Sequence, residues 1–235
     1  MTDYKLEAAK AAALMISAGQ TIGLGGGKTI AYLVEQLAAQ PALQASLTVT
    51  SSSFDTTALL HEKGFKLVAP AFVGRLDIYF DGCDVFDANL NALKSGGGIH
   101  VMEKLLASAA DKFVLLGDES KAQPKLDTKY PMVVELLPQA LEIVKQAITA
   151  RYPQTRFVQR MSTGKIGALI SDNGNLLADV YFEAFPDLEQ LDIQVKMLPG
   201  VVGHSLFFQM AQQAVIAGEE GVKYIYPAVN HQVNG

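Results

Sequence analysis

Thr21-Ile22-Gly23-Leu24-Gly25-Gly26-Gly27-Lys28-Thr29 is the stretch whose reading decides the fold. Thr21 to Leu24 has the make-up of a short buried strand, three glycines follow at once, and a helical pattern runs from about Ile30 to Ala39. Upstream, Leu6, Ala9, Ala13 and Ile16 recur at helical spacing across residues 3–18, and Gly19 is expected to stop that helix. Downstream, Leu47-Thr48-Val49-Thr50 is apolar and β-branched. Strand, glycine loop, helix and strand in that order predict an α/β fold, an open and mostly parallel sheet flanked by helices.

The pattern repeats. A helix is expected near Asp55–Lys63, strands at Lys66–Val68 and Leu76–Phe80, a loop over 81–98, a helix from about Ile99 to Ala110, and a strand at Phe113–Leu116. In open α/β sheets ligands bind beyond the carboxyl ends of the strands, so the loops starting at Gly25, Ser51, Asp81 and Gly117 should meet at one crevice. From Tyr130 the texture changes. Met132–Leu136 reads as a strand, 138–151 as a helix, Phe157-Val158 and Ala168–Ile170 as further strands, and Asp172-Asn173-Gly174-Asn175 as a hairpin turn. The expected organisation is a main α/β domain over 1–129 and 205–235, carrying the active site, and a small α+β domain over 130–204. Phe207–Ala217 and Tyr224–Tyr226 would return to the main sheet.

The chain has 235 residues, 49% hydrophobic and 18% charged, which places it among folded enzymes rather than disordered or coiled-coil chains. Its one cysteine, Cys83, excludes an internal disulfide and a cysteine-cluster metal site. Neither a secretory leader nor an apolar run long enough for a membrane span is present, so a cytoplasmic protein is expected. The net charge of −5 gives no general attraction to nucleic acid. An anionic ligand therefore needs a local site.

Three segments offer one. Asp81-Gly82-Cys83-Asp84, Lys94-Ser95-Gly96-Gly97-Gly98 and Glu103-Lys104 bring carboxylates, a lysine and a glycine run into 24 consecutive positions. The glycines leave backbone N–H groups open to a ligand, and a helix starting just after them directs its positive end into the same space. Taken singly, each residue has a plainer reading: Asp81 and Asp84 shape a polar turn, Lys94 is solvated, and Glu103 compensates a helix dipole. Gly26-Gly27-Lys28-Thr29 ends like a nucleotide P-loop, but the leading glycine of that motif would fall on Ile22. A strand–glycine–helix loop remains a general phosphate cradle, to which Lys28 adds a cation and Thr29 a hydroxyl. Thr50-Ser51-Ser52-Ser53 follows a strand and has two readings, hydroxyls facing the crevice or, more commonly for such a run, a turn and helix cap. His61, His100, His204 and His231 show no metal-ligand spacing, so no metal and no cofactor is expected.

These segments resemble ribose-5-phosphate isomerase A along nearly the whole chain. Asp81-Gly82-Cys83-Asp84 is similar to that family's Asp-Gly-Ala-Asp loop, Lys94-Ser95-Gly96-Gly97 to its Lys-Gly-Gly-Gly, and Met102-Glu103-Lys104 to its Arg-Glu-Lys. Asp118-Glu119-Ser120-Lys121, Ser171-Asp172-Asn173-Gly174-Asn175 and Pro199-Gly200-Val201-Val202 match further family segments. The resemblance implies metal-independent exchange of ribose 5-phosphate and ribulose 5-phosphate through a cis-enediolate, with Glu103 moving the proton between C1 and C2. It also implies that Asp81 assists protons among the substrate oxygens, Asp84 holds hydroxyls and Lys94 stabilises negative charge. Lys121 and the loop 26–29 would bind at the crevice, together with Gly82, Cys83, Ser95, Gly96 and Gly97. The implied partner is a phosphorylated pentose, and the implied assembly a homodimer or homotetramer, with Phe207, Phe208 and Tyr224–Tyr226 as contact candidates.

The chain departs from the family pattern at five places. Gly26-Gly27-Lys28-Thr29 replaces Thr-Gly-Ser-Thr, Val85 a glutamate, Ser95 a glycine and Met102 an arginine, and Ser205 stands where a glycine is usual. The altered cradle keeps two alternatives open: a related isomerase or deaminase of another sugar phosphate, and a non-enzymatic sugar-phosphate sensor. A sensor needs an output module, for which 235 residues leave little room.

Overall fold

The computed structural model describes residues 2–228. Its helices are α1 (Tyr4–Ala13), α2 (Lys28–Ala38), α3 (Pro41–Ser46), α4 (Phe54–Glu62), α5 (His100–Ser108), α6 (Leu141–Arg151) and α7 (Leu188–Lys196). The strands of the first half are β1 (Thr21–Leu24), β2 (Thr48–Ser51), β3 (Lys66–Leu67), β4 (Ile78–Asp81), β5 (Val85–Phe86), β6 (Ala92–Leu93) and β7 (Phe113–Asp118). The second half adds β8 (Met132–Leu136), β9 (Arg156–Gln159), β10 (Leu176–Tyr181), β11 (Val201–His204), β12 (Leu206–Phe207), β13 (Gln213–Gly218) and β14 (Gly221–Ile225).

Seven strands form the main sheet in the order β14-β13-β7-β4-β1-β2-β3. All neighbours are parallel except β14, which closes one edge as an antiparallel hairpin with β13. The parallel register sets Leu24 beside Ser51 and Phe80, and Asp81 beside Leu115. Their carboxyl ends therefore finish along one edge of the sheet, which is where the expected crevice opens. The pleat divides the core. Ile22, Leu24, Ile78, Phe80, Val114 and Leu116 pack against α1 and α2, while Tyr79, Phe113, Leu115 and Ile216 face the side of Leu106 and Ala107 on α5. On α2, Ile30, Leu33, Val34 and Leu37 repeat at helical spacing, and all four are fully buried. Each such side chain contributes about 1.5–3 kcal/mol by burial.

The second sheet, β11-β8-β10-β9, is antiparallel and covered on one face by α6 and α7. The third, β12-β6-β5, joins the other two. Its Val85, Leu93 and Leu206 lie in the core of the second sheet, whereas Phe86, Ala92 and Phe207 lie in the core of the first.

Several expectations are corrected. The first helix ends at Ala13 rather than near Ile16, although Ile16 still packs into the core. The loop 81–98 contains β5 and β6, and Phe207 belongs to the third sheet, not to the main one. With two residues each, β5, β6 and β12 carry no readable alternation, and the pattern did not reveal them. Ala168–Ile170 makes only isolated bridges, from Ala168 to Met161 and from Ile170 to Leu176. The turn at Asp172–Asn175 is a hairpin turn as expected, with Ser171 N–H on the carbonyl of Asn175 at 2.9 Å, and it leads into β10, an inner strand of the second sheet that the pattern did not reveal.

Candidate active site

Asp81 ends β4 with its carboxyl almost wholly buried. Tyr79 Oη donates to Oδ2 at 2.7 Å, and the backbone N–H groups of Gly82 and Gly26 donate to Oδ1 at 2.7 and 3.3 Å. Gly25 is glycine because a Cβ there would lie 1.9 Å from the same carboxyl. Ser52 Oγ meets Tyr79 Oη at 3.0 Å, which fixes the phenol from its far side.

Lys94 follows β6, and its Nζ reaches three acceptors. It donates to the carbonyl of Gly82, lies 2.9 Å from Asp81 Oδ2, and lies 3.3 Å from Glu103 Oε1. Its side chain is 5% exposed and passes over the ring of Phe207. Glu103 sits in the first turn of α5 and is also buried. Burial opposes the charge of Lys94, but Asp81 and Glu103 outweigh it and hold the ammonium above the ordinary lysine range. For Glu103, burial followed by repulsion from Asp81 raises the carboxyl from 4.5 to about 8, against the pull of Lys94. One cation cannot fully neutralise two buried carboxylates, and Glu103 carries the difference.

Asp84 Oδ2 accepts the N–H groups of Ser95 and Gly96 at 2.5 and 3.0 Å. Gly96 and Gly97 continue the wall toward α5. Opposite them, Gly26, Gly27, Lys28 and Thr29 form the cradle at the start of α2, with Gly27 in left-handed backbone at φ 92°. Lys121 enters from the turn after β7, and Gly82 and Cys83 form the floor with Leu116. Burial pushes the Cys83 thiol up to about 12, which disfavours the thiolate that a nucleophile needs. All these residues line one cleft of ≈ 550 Å³, except Ser95, which stands behind it.

Lys28 is placed differently from the expectation of a free cradle cation. Its Nζ pairs with Asp3 Oδ2 at 2.8 Å, Tyr32 Oη donates to the same oxygen at 2.7 Å, and the lysine side chain is 59% exposed. Several cleft residues escaped the sequence reading, among them Phe54 and Asp55 at the start of α4 and two charged groups elsewhere. Lys5, in the first turn of α1, has no ion-pair partner among the described residues, and Asp172 reaches the cleft from the turn before β10. A lysine in an ordinary helix and an Asn-Gly turn give no pattern that marks either as a ligand.

Two of the departures find local reasons, and nothing in the structure explains Met102. Val85 is buried in the core of the second sheet, where a glutamate would lack a partner. Ser205 Oγ accepts the N–H of Val133 at 2.8 Å, and its carbonyl accepts the N–H of Lys94 at 3.1 Å. His100 and His204 are buried outside the cleft, and burial lowers the His100 imidazole to about 3. His61 lies on α4, and His231 lies outside the described residues. Among the described residues no group of three His, Cys, Asp or Glu side chains could hold a metal ion.

Two clustered carboxyls and a cation, with a glycine loop that starts beside Asp81 and leads into α2, suit proton transfer on a phosphorylated carbon acid. Comparison with known proteins agrees. Residues 48–221 match the family model described as ribose 5-phosphate isomerase A (phosphoriboisomerase A). The chain is 35% identical over 230 residues to ribose-5-phosphate isomerase A of Prochlorococcus marinus (strain MIT 9211), covering 94% of this chain and 96% of that one. It is 34% identical to that of Methanosarcina acetivorans, with 94% and 93% covered. Among solved structures, ribose 5-phosphate isomerase A of Methanocaldococcus jannaschii superposes with a TM-score of 0.88 at 33% identity, over 95% of this chain and 98% of that one. A D-ribose-5-phosphate isomerase in complex with phospho-erythronic acid gives 0.89 at 30% identity, with 95% and 97% covered.

Proposed function

Because this chain belongs to the ribose 5-phosphate isomerase A family and interconverts ribose 5-phosphate and ribulose 5-phosphate, we propose that Glu103 is the base that carries the proton between C2 and C1. The observation that carries this reading is the burial of Glu103 beside Lys94, with its carboxyl raised to about 8. A base is most effective when its proton affinity lies near the working pH, and an ordinary surface glutamate lies well below it.

The open-chain aldose extends through the cleft with C1 and C2 at the Glu103 end. Glu103 takes the C2 proton, negative charge develops on the carbonyl oxygen, and Lys94 faces that oxygen with a fixed positive charge. Asp81 exchanges the proton between the two substrate oxygens, so the intermediate is an enediolate that Glu103 reprotonates at C1. Asp84 accepts from the sugar hydroxyls. The phosphate lies at the far end, on the N–H groups that open α2, with Thr29, Lys5 and Lys121. Cations and hydrogen bonds held in place supply the stabilisation that a Lewis acid provides elsewhere.

The substrate is thus a phosphorylated pentose, held in a main domain assigned to 1–129 and 205–235 by residues between Lys5 and Lys121, while the small domain 130–204 braces the site and adds Asp172 to the cleft. The net charge of −5 argues against nucleic acid as a partner, and no described helix is long and apolar enough to cross a membrane. We read the enzyme as cytoplasmic and as a homodimer or homotetramer. Tyr224 and Tyr226, 47% and 62% exposed, are candidates for the contact surface, whereas Phe207 is buried within the chain.

The test is to incubate purified protein with ribose 5-phosphate and a strong chelator, and to follow ketose formation. Turnover is expected without added metal. Binding without turnover would support a sensor, and faster conversion of another sugar phosphate would assign a different substrate.

A further inference from the structure

The second sheet sends one side chain to the catalytic loop. Arg160 continues β9, with its own N–H on the carbonyl of Leu177 at 2.8 Å and its carbonyl accepting from Leu169 at 3.0 Å. Nε donates to Asp179 Oδ1 at 2.8 Å, and Nη2 lies 2.7 Å from the same oxygen. Nη2 also donates to the carbonyl of Ser95 at 2.5 Å. The guanidinium and its carboxylate are each 15% exposed, so solvent screens them little.

The carbonyl of Ser95 and the N–H of Gly96 belong to one peptide plane. Arg160 holds the oxygen end, and Asp84 holds the N–H end at 3.0 Å. Gly96 and Gly97 follow, and glycine offers little resistance to rotation of a neighbouring peptide. Reversal of that plane would turn the N–H away from Asp84 and release its carboxylate. Close approach of the second sheet is also built in at Gly98, where a Cβ would lie 2.8 Å from Leu177 and 3.6 Å from Arg160 Nη1.

We infer that Arg160 is a positioning residue for the isomerase reaction: from the second sheet it clamps the Ser95–Gly96 peptide and thereby aims Asp84 at the substrate hydroxyls. The inference rests on the reading of Asp84 given above. It assigns the second sheet a part in catalysis that a family pattern centred on the crevice loops does not include.

The test compares the full-length Arg160→Lys protein and the double variant Arg160→Met/Asp179→Leu, the latter leaving no stranded charge. For each, kcat and KM for ribose 5-phosphate, the inhibition constant of inorganic phosphate, and the melting temperature are measured. Misplacing a reacting geometry by about 1 Å costs about 100-fold, so kcat/KM is expected to fall by about 10–100-fold in the double variant and by less in Arg160→Lys. The inhibition constant of phosphate should stay within about twofold, since phosphate occupies the other end of the cleft. If Arg160 serves only as a partner for Asp179, the double variant, having lost both charges, turns over at the wild-type rate, and the inference is overturned. Should the double variant not fold, wild-type kinetics of Arg160→Lys overturn it equally. Asp84→Asn separates the two readings: wild-type turnover there removes Asp84 from the mechanism, whereas a slow Asp84→Asn beside fast Arg160 variants removes only the clamp.

Discussion

The ammonium of Lys94 stands 3.3 Å from the carboxyl of Glu103, and yet that carboxyl holds its proton more tightly than a carboxylate in water. A lone ion pair would do the opposite. The explanation lies in the surroundings: the pair is buried, and Asp81 is nearer to the same nitrogen at 2.9 Å. The site thus holds a charged lysine together with a carboxyl that can bind or release a proton near neutrality, which is the pairing that enolisation requires.

The raised carboxyl fixes the sign of two pH effects. As a base Glu103 must be unprotonated, so kcat/KM should climb as pH rises toward about 8 and then level. The second ionisation of the substrate phosphate, near pH 6, is separated by comparing inorganic phosphate inhibition over the same range. For stability the direction reverses. A carboxyl whose folded value is raised favours the folded state below its unfolded value, and that contribution is lost as pH rises from 4.5 through about 8. A kcat/KM that is flat from pH 6 to 9 would contradict the assignment.

Glu135 tests the support of the cleft from the far side. Fully buried on β8, its Oε1 accepts from Ser171 Oγ at 2.9 Å, Asn173 Nδ2 at 3.0 Å and Asn175 Nδ2 at 2.7 Å, and so holds the turn that carries Asp172. Asn173 can return to water, whereas Ser171 and Asn175 are buried. Each buried donor left without a partner costs about 1–3 kcal/mol, so Glu135→Ala is expected to lose about 2–4 kcal/mol in denaturant unfolding. A loss below about 1 kcal/mol would mean that the turn stands without this anchor.

At the phosphate end, Lys28 already shares its charge with Asp3, and Lys5 and Lys121 do not. Lys28→Ala should therefore raise KM only about twofold to threefold, and Lys5→Ala or Lys121→Ala about tenfold or more, because a charge-assisted hydrogen bond to phosphate is lost only there. Measuring KM for the three variants at one low ionic strength ranks them directly. A larger effect at Lys28 than at Lys121 would mean that bound phosphate draws the lysine away from Asp3.

The elements with a full period were legible in the sequence: β1, α2, β2, α5, β7 and β8 lie within two residues of their expected bounds. So was the convergence of Asp81, Asp84, Lys94 and Glu103, since each stands at a strand end, a glycine loop or a helix start. Structure set by contacts distant in sequence was not legible. β5, β6 and β12 have only two residues each, and β12 finds β6 across more than a hundred positions, as in Leu206 with Leu93, which leaves no local signal. Lys28 read as a cradle cation because its neighbours in the chain are glycines, while its partner Asp3 lies 25 residues away. The clamp by Arg160 spans 65 residues and acts through a backbone carbonyl, which no side-chain motif records.

Glu103→Gln is the decisive substitution. Glutamine keeps the volume and can still accept a hydrogen bond from Lys94, but at neutral pH it cannot take a proton from carbon. Removing a positioned general base lowers rates by about 10²–10⁴-fold, and the loss should fall on kcat with KM little changed. Exchange of the C2 hydrogen of ribose 5-phosphate with D₂O should slow by a similar factor, because it reports proton abstraction apart from release of the ketose. The same variant should melt at a higher temperature than wild type at pH 8–9, since it removes a buried charge that the fold resists. An exposed first-turn glutamate would behave otherwise, contributing about 0.3–1 kcal/mol through the helix dipole and leaving turnover intact. A folded Glu103→Gln protein that exchanges the C2 hydrogen at the wild-type rate would take the base away from Glu103. Asp81, which shares the ammonium of Lys94, would then be the remaining carboxylate at that nitrogen to test in the role.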